Sequence, residues 1–375
     1  MIPTSRVERC FVLGLGEGID TKRTLVLKVD KESPDLEKIR IAAGIIRRGG
    51  TVAFPTETVY GLGADALNPA AVAKIFEAKK RPPDNPIIVH VSSIDDVHRV
   101  AEEIPEGAYS VIERFWPGPL TLIFRASRNV PKTTTAGLET VAVRMPSHKV
   151  ALALIKESGT PIAAPSANLS GKPSPTAAEH VLRDLYGRID ALLDAGPTEV
   201  GVESTVLDLT ADPPEILRPG GTPYEDLLDV LGRVRLHPLV TAQRAISIEK
   251  PRSPGMKHRH YAPNAKLILV EGSTADKVAM KVLEVASLQS GKRRKVGILA
   301  TDENLHFYRR KPYIVRSFGK RSDPSTLAKN LFKVLRELDD TGVDVIVAEG
   351  VSTEGLGLAV MNRLRKASGY NIIRA

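Results

Sequence analysis

The chain has 375 residues, 42% of them hydrophobic and 26% charged, the balance of an ordinary globular protein with two or three domains. A single cysteine, Cys10, excludes an internal disulfide framework and a cysteine-based zinc site and suits a reducing cytoplasm. Lys and Arg outnumber Asp and Glu by 53 to 44, a dispersed excess that fits an anionic ligand such as a nucleotide or RNA, or simply a basic surface.

Residues 1–30 read as an N-terminal extension. Arg6, Glu8 and Arg9 border only a brief apolar stretch there, unlike a signal peptide, and no apolar run reaches the ~18–20 residues of a membrane span. Residues 31–231 form the first large unit. Leu36, Ile39, Ala42, Ala43, Ile45 and Ile46 have helical spacing that ends at Gly49-Gly50. "TVAF" (51–54) is a strand, and Asn68-Pro69 starts a helix with Asn as cap. Further strands are predicted at 86–91, 120–124, 141–145, 161–164, 191–195, 204–209 and 215–218. Helices are predicted near 149–158, 176–186 and 223–231. The irregular mixture implies an α/β domain with a twisted mixed sheet and flanking helices.

Residues 232–263 are rich in Arg, Pro and His and read as an ordered linker. Regular alternation resumes over 264–375: strands at "KLILVEG", "KVGILA", "YIVRSF" and "VDVIVAEG" with helices at 274–289, 324–338 and 357–367. That pattern predicts a smaller Rossmann-like α/β domain with a parallel sheet.

Common catalytic signatures are absent: there is no GxxxxGK[ST], HExxH or GxSxG, and no metal-type His/Cys spacing. The chain carries instead a series of polar loops, most of them after predicted strands. They are "PTETVYGLG" (55–63), "KKRPPDNP" (79–86), "AAPSANLSGKPSPT" (163–176), "GVESTV" (201–206) and "ILRPGG" (216–221). Each alone is a plausible solvated turn. Together, their Ser, Thr, Asn, Arg, Lys and Gly residues suit a shared cavity for phosphoryl or nucleotidyl chemistry, in which placement of cations and N–H donors does most of the catalysis. The glycines of "GLG" are expected to let the backbone approach a ligand.

These motifs, with "FWPGPLTL", "VAVRMP", "SPGMKHRHYAP" and "EGLGLAVMNRLRKAS", resemble in order those of the YrdC-like family in its long, two-domain threonylcarbamoyl-AMP synthase form. The resemblance covers roughly residues 36–375. It implies a reaction of L-threonine, bicarbonate and ATP, with Mg2+ on the ATP phosphates and no metal ligand from the protein. The product then passes to a tRNA threonylcarbamoyl transferase complex, with weak or indirect tRNA contact, in the cytoplasm and away from membranes. Carried over by position, Thr58, His90, Arg144, Ala164 and Ser204 correspond to the threonine-binding set. Lys79, Arg81, Asn85, Thr140, Ser166, Asn168, Ser174, Arg218, His258 and Tyr261 correspond to the ATP-binding set. No residue is assigned as general acid or base, since a carbamate oxygen is already nucleophilic. The stiff, basic stretch 255–261 is expected to fold over the cavity mouth as a lid.

Two other readings use the same residues. A nucleic-acid-binding module is disfavoured by an aromatic content of 5%, which leaves few stacking platforms. A carbamoyltransferase of the hydrogenase-maturation type would need a zinc-finger-like region that one cysteine cannot supply.

Overall fold

The computed structural model describes residues 23–246, 251–254, 256 and 260–375. The larger unit has eleven strands. The first six are β1 (Leu25–Lys28), β2 (Val52–Phe54), β3 (Gly61–Asp65), β4 (Val89–His90), β5 (Leu120–Arg125) and β6 (Thr140–Arg144). They are followed by β7 (Ile162–Ala163), β8 (Ala191–Asp194), β9 (Thr205–Asp208), β10 (Glu215–Arg218) and β11 (Arg235–Leu236). Their spatial order is β1-β8-β2-β3-β7-β4-β6-β5-β9-β10-β11, with parallel and antiparallel pairs interspersed. The sheet is mixed, as the irregular element order implies.

Helices cover both faces. Helix Leu36–Arg47 starts where Asp35 accepts from the backbone N–H of Glu37 and Lys38, and it buries Ile39, Ala42, Ala43 and Ile46. That stripe packs with helix Lys149–Ser158 against Val52 and Phe54. Helix Pro69–Lys79 starts at the Asn68 cap and lies in the core of the opposite face. Its last residue, Lys79, is thereby delivered to the edge of the polar loops.

The second unit has strands β12 (Lys266–Glu271), β13 (Val296–Ala300), β14 (Ile314–Ser317), β15 (Val345–Glu349) and β16 (Ile372–Arg374). All are parallel, in the order β14-β13-β15-β12-β16. Helix Ala275–Gly291 covers one face. Helices Pro324–Asp340 and Leu356–Ala367 cover the other, and their core also takes in Val59, Val202 and Tyr261 from outside this unit. The two units therefore share apolar core.

Several elements differ from the sequence reading. Leu25–Lys28, placed in the N-terminal extension by sequence, pairs in parallel with β8 as the sheet edge; its half-exposed residues give no clear period. The predicted six-residue strand 86–91 reduces to β4. Pro86 has no N–H for a ladder, and the Ile87 N–H goes instead to the carbonyl of Thr134. "GLGAD" is a strand, not a loop, pairing with β2. A Cβ at Gly63 would sit 2.6 Å from Ile162 Cγ2 and 2.7 Å from Phe54 Cε1, so this glycine makes room for the Phe54 ring. Within the stretch read as linker, β11 and the short helix Pro238–Thr241 pack onto the first unit, burying Leu239 and Val240.

Gly201 lies at a close approach of the two units. Its φ is +79°, and a Cβ there would fall 2.4 Å from Lys329 Cα and 2.5 Å from the Ala328 carbonyl oxygen. Gly201→Ala adds backbone strain of about 1–3 kcal/mol and pushes the helix of the second unit away. Denaturant unfolding of this variant is expected to show a lower midpoint; an unchanged midpoint would mean that the contact is not part of the stable fold.

Candidate active site

The polar loops converge on one cleft of about 580 Å³ including its open mouth. The register of β4 on β6 sets His90 beside Arg144, and the ends of β2, β7 and β10 bring the other loops to the same place. Thr58, His90, Arg144, Ala164 and Ser204 all line it. Arg81, Ser166, Arg218 and Tyr261 line it too.

Hydrogen bonds fix the walls. Arg144 Nη1 donates to Thr58 Oγ1 at 2.9 Å, the Thr58 and Thr56 hydroxyls meet at 2.8 Å, and Thr56 donates to the Val59 carbonyl at 2.7 Å. Arg144 Nη2 donates to Glu57 Oε1 at 2.6 Å. The Arg144 guanidinium, placed by resemblance in the threonine-binding set, thus already holds one buried carboxylate and one hydroxyl. On the far wall, Arg218 Nε and Nη2 donate to the Ser204 carbonyl at 3.1 and 2.9 Å. Arg218 Nη2 also reaches Ser204 Oγ at 3.1 Å, and that hydroxyl lies 2.7 Å from Thr121 Oγ1.

Four of the remaining predicted residues, Lys79, Asn85, Asn168 and Ser174, stand behind the cleft. Lys79 Nζ donates to the carbonyls of Ser166 and Asn168, the latter at 2.6 Å, and so grips the 166–168 loop from behind. Asn168 Nδ2 caps the Leu169 and Lys172 carbonyls, while Asn85 offers its carbonyl to Arg81 Nη2 at 3.3 Å. Ser174 Oγ donates to Glu203 Oε1 at 2.5 Å. Thr140 opens β6 opposite Arg125, away from the lining. His258 lies outside the described residues; His260, two positions on, lines the cleft with Pro254. Sequence reasoning passed over His260, Glu203 and Thr56, although all three stood inside motifs it singled out. The pair "HRH" gave no signal for choosing between its histidines.

The site is charged and imperfectly satisfied. Buried polar atoms without a protein partner gather here: Arg81 Nε, His90 Nδ1 and His260 Nε2 on lining residues, and Glu57 Oε2, Asn85 Oδ1 and Asn168 Oδ1 on residues next to them. Native proteins leave few such atoms, so their concentration at one cleft points to a polar ligand. Burial pushes the Arg81 guanidinium down to about 10 and the Lys79 ammonium well below its ordinary value. Both cations gain when an anion arrives.

Known proteins match this architecture throughout. A family model described as "Telomere recombination" matches residues 44–220, and one described as "Threonylcarbamoyl-AMP synthase, C-terminal domain" matches residues 223–369. The threonylcarbamoyl-AMP synthase of Pyrococcus abyssi is 53% identical over 354 residues, covering 94% of this chain and 99% of the relative. The chain belongs to the two-domain threonylcarbamoyl-AMP synthases. The corresponding enzyme of Bacillus subtilis is 50% identical over 355 residues, covering 94% of this chain and 99% of the relative. A crystal structure of P. abyssi Sua5 complexed with L-threonine superposes with a TM-score of 0.88 at 53% identity, covering 94% of this chain and all of that one. As a synthase of this type the chain is an enzyme, and among its described residues no helix is long and apolar enough to cross a membrane.

For this synthase the histidines of the cleft set an acid limit. Burial, with the Arg144 cation alongside, pushes the His90 imidazole from an ordinary 6.5 down to about 3. Burial and Arg81 do the same to His260. Unfolded, these groups take up protons below pH 6.5 that the folded protein refuses. Stability is therefore full above that pH and falls as the pH drops toward 3, by up to ~1.4 kcal/mol per unit for each group. His90→Gln should show a smaller loss of unfolding midpoint between about pH 7 and about pH 4.5 than the parent; parallel losses would place the His90 pKa near its ordinary value.

Proposed function

We propose that this chain makes L-threonylcarbamoyl-AMP from L-threonine, bicarbonate and ATP, releasing pyrophosphate. The product supplies a transferase complex that modifies an adenosine of tRNA in the cytoplasm. The observation that carries the reading is the single cleft in which the threonine-type and ATP-type residues meet. The relative solved with L-threonine has the same fold at 53% identity.

The chemistry needs two bonds. The threonine amine adds to bicarbonate and loses water, giving a carbamate. A carbamate oxygen then attacks the α-phosphorus of ATP and displaces pyrophosphate. Neither step requires a protein nucleophile. The Arg144 edge of the cleft holds threonine: the Thr56–Thr58–Arg144 chain and Ser204 present hydroxyls and a cation, with His90 kept neutral as a hydrogen-bonding surface. Arg81 and Arg218 face the nucleotide, where they neutralise charge that accumulates on the departing phosphates. Lys79, Asn85, Asn168 and Ser174 support that half by holding the loops around it. Pro254, His260 and Tyr261 close one wall and limit water access to the labile carbamate.

Magnesium enters with the triphosphate and screens its charge. Among the described residues no group of three or more His, Cys, Asp or Glu could hold a metal.

Substrate choice tests the reading. The protein is incubated with ATP, magnesium, bicarbonate and one amino acid at a time, and pyrophosphate and adenylate are followed together. Threonine is expected to be the best substrate. Serine, short of one methyl, should lose about 1–3 kcal/mol in kcat/KM. Valine should be rejected more strongly, because it leaves buried hydroxyl partners unpaired. Equal turnover of threonine and valine contradicts the assignment.

A further inference from the structure

Arg363 belongs to the second domain, on helix Leu356–Ala367, yet its guanidinium ends at the wall of the cleft. The residue is fully buried. Its Nε donates to Glu203 Oε2 at 2.9 Å and its Nη1 to the Pro219 carbonyl at 2.7 Å. Its Cζ lies 5.3 Å from the centre of the Tyr261 ring, which also stacks on Phe332 of the same domain at 5.3 Å. Glu203 and Tyr261 both line the cleft; Arg363 does not.

We propose that Arg363 is a positioning residue for adenylate synthesis, through which the C-terminal domain fixes and neutralises the cleft wall made by Glu203 and Tyr261. The proposal rests on the reading that substrates react in this cleft. Glu203 is the one carboxylate among the lining residues. Left alone, it would repel the ATP phosphates that Arg81 and Arg218 attract. Arg363 cancels that charge from behind, and its planar fork meets carboxylate, carbonyl and ring together, a geometry lysine cannot copy. Domain cohesion does not account for the choice. A buried ion pair is weak evidence for stability, and a second one, Arg336 to Asp184 at 2.8 Å, already joins the domains away from the cleft lining.

Two substitutions separate the roles. Arg363→Lys is expected to lower kcat/KM for ATP at least tenfold, ~1.4 kcal/mol of barrier, chiefly through a raised KM, with the unfolding midpoint near that of the parent. Arg336→Lys is expected to do the reverse, lowering the midpoint while kcat/KM stays within roughly twofold. Should Arg363→Lys fail to fold, the pair Arg363→Met with Glu203→Gln buries no lone charge and is expected to fold; it still loses activity because the Tyr261 wall has lost its fork, but less than tenfold because no carboxylate is left to repel the phosphates. Parent-like kinetics in a folded Arg363 variant, or equal kinetic losses from Arg336→Lys, overturn the positioning role alone. A parent protein that makes no adenylate overturns the function on which it rests, and the proposal with it.

Discussion

Three guanidinium groups, those of Arg81, Arg144 and Arg218, share one open-mouthed cleft while being themselves largely buried, and the rest of the structure answers to that constraint. Charges taken out of water are costly unless paired and hydrogen-bonded. Arg144 is compensated in full by Glu57, Thr58 and the Gly118 carbonyl. Arg218 is turned toward the Ser204 carbonyl, and among the described residues Arg81 hydrogen-bonds only to the Asn85 and Pro86 carbonyls, at 3.3 and 3.2 Å, with its Nε unpartnered and Asp84 as a nearby carboxylate. Compensation thus thins from the Arg144 end of the cleft to the Arg81 end. On the proposed reading, a triphosphate supplies the missing negative charge at the Arg81 end.

Holding such groups in place requires a rigid surround, and both domains provide it. The core of the C-terminal domain includes Val59 and Val202, neighbours in sequence of Thr58 and Glu203. Gly201 lets backbone touch backbone between them. The apolar contacts and the buried Arg336–Asp184 pair hold the domains together, and Arg363 carries that hold to the cleft wall. A cleft wall built across a domain boundary is only as precise as that boundary, which is why the shared core and the polar cross-links occur together.

Much of this was legible in the sequence because local rules and global fold agree. Asn68 caps the helix that follows it, as its place before Pro69 implies, and the alternating elements of 264–375 fold into the parallel sheet that they imply. The ordered motifs located nine of the lining residues. What could not be read depends on register and packing. Whether "GLGAD" is loop or strand is decided by the Phe54 ring and Ile162, which lie elsewhere in the chain. That Lys79 and Asn168 serve the cleft from behind follows from where the end of helix Pro69–Lys79 meets the 166–168 loop. His260 and Glu203 gained their places from tertiary contacts that no spacing within their own motifs records.

The central claim is that uncompensated cation density at the nucleotide end of the cleft trades stability for binding, as functional sites commonly do. Arg81 tests it most directly, being the least compensated of the three. The measurement is the unfolding midpoint of ligand-free Arg81→Met beside its rate of adenylate synthesis. The account predicts a midpoint equal to or above that of the parent, with synthesis reduced at least tenfold, ~1.4 kcal/mol of barrier. A variant that unfolds earlier yet synthesises adenylate at the parent rate would contradict it.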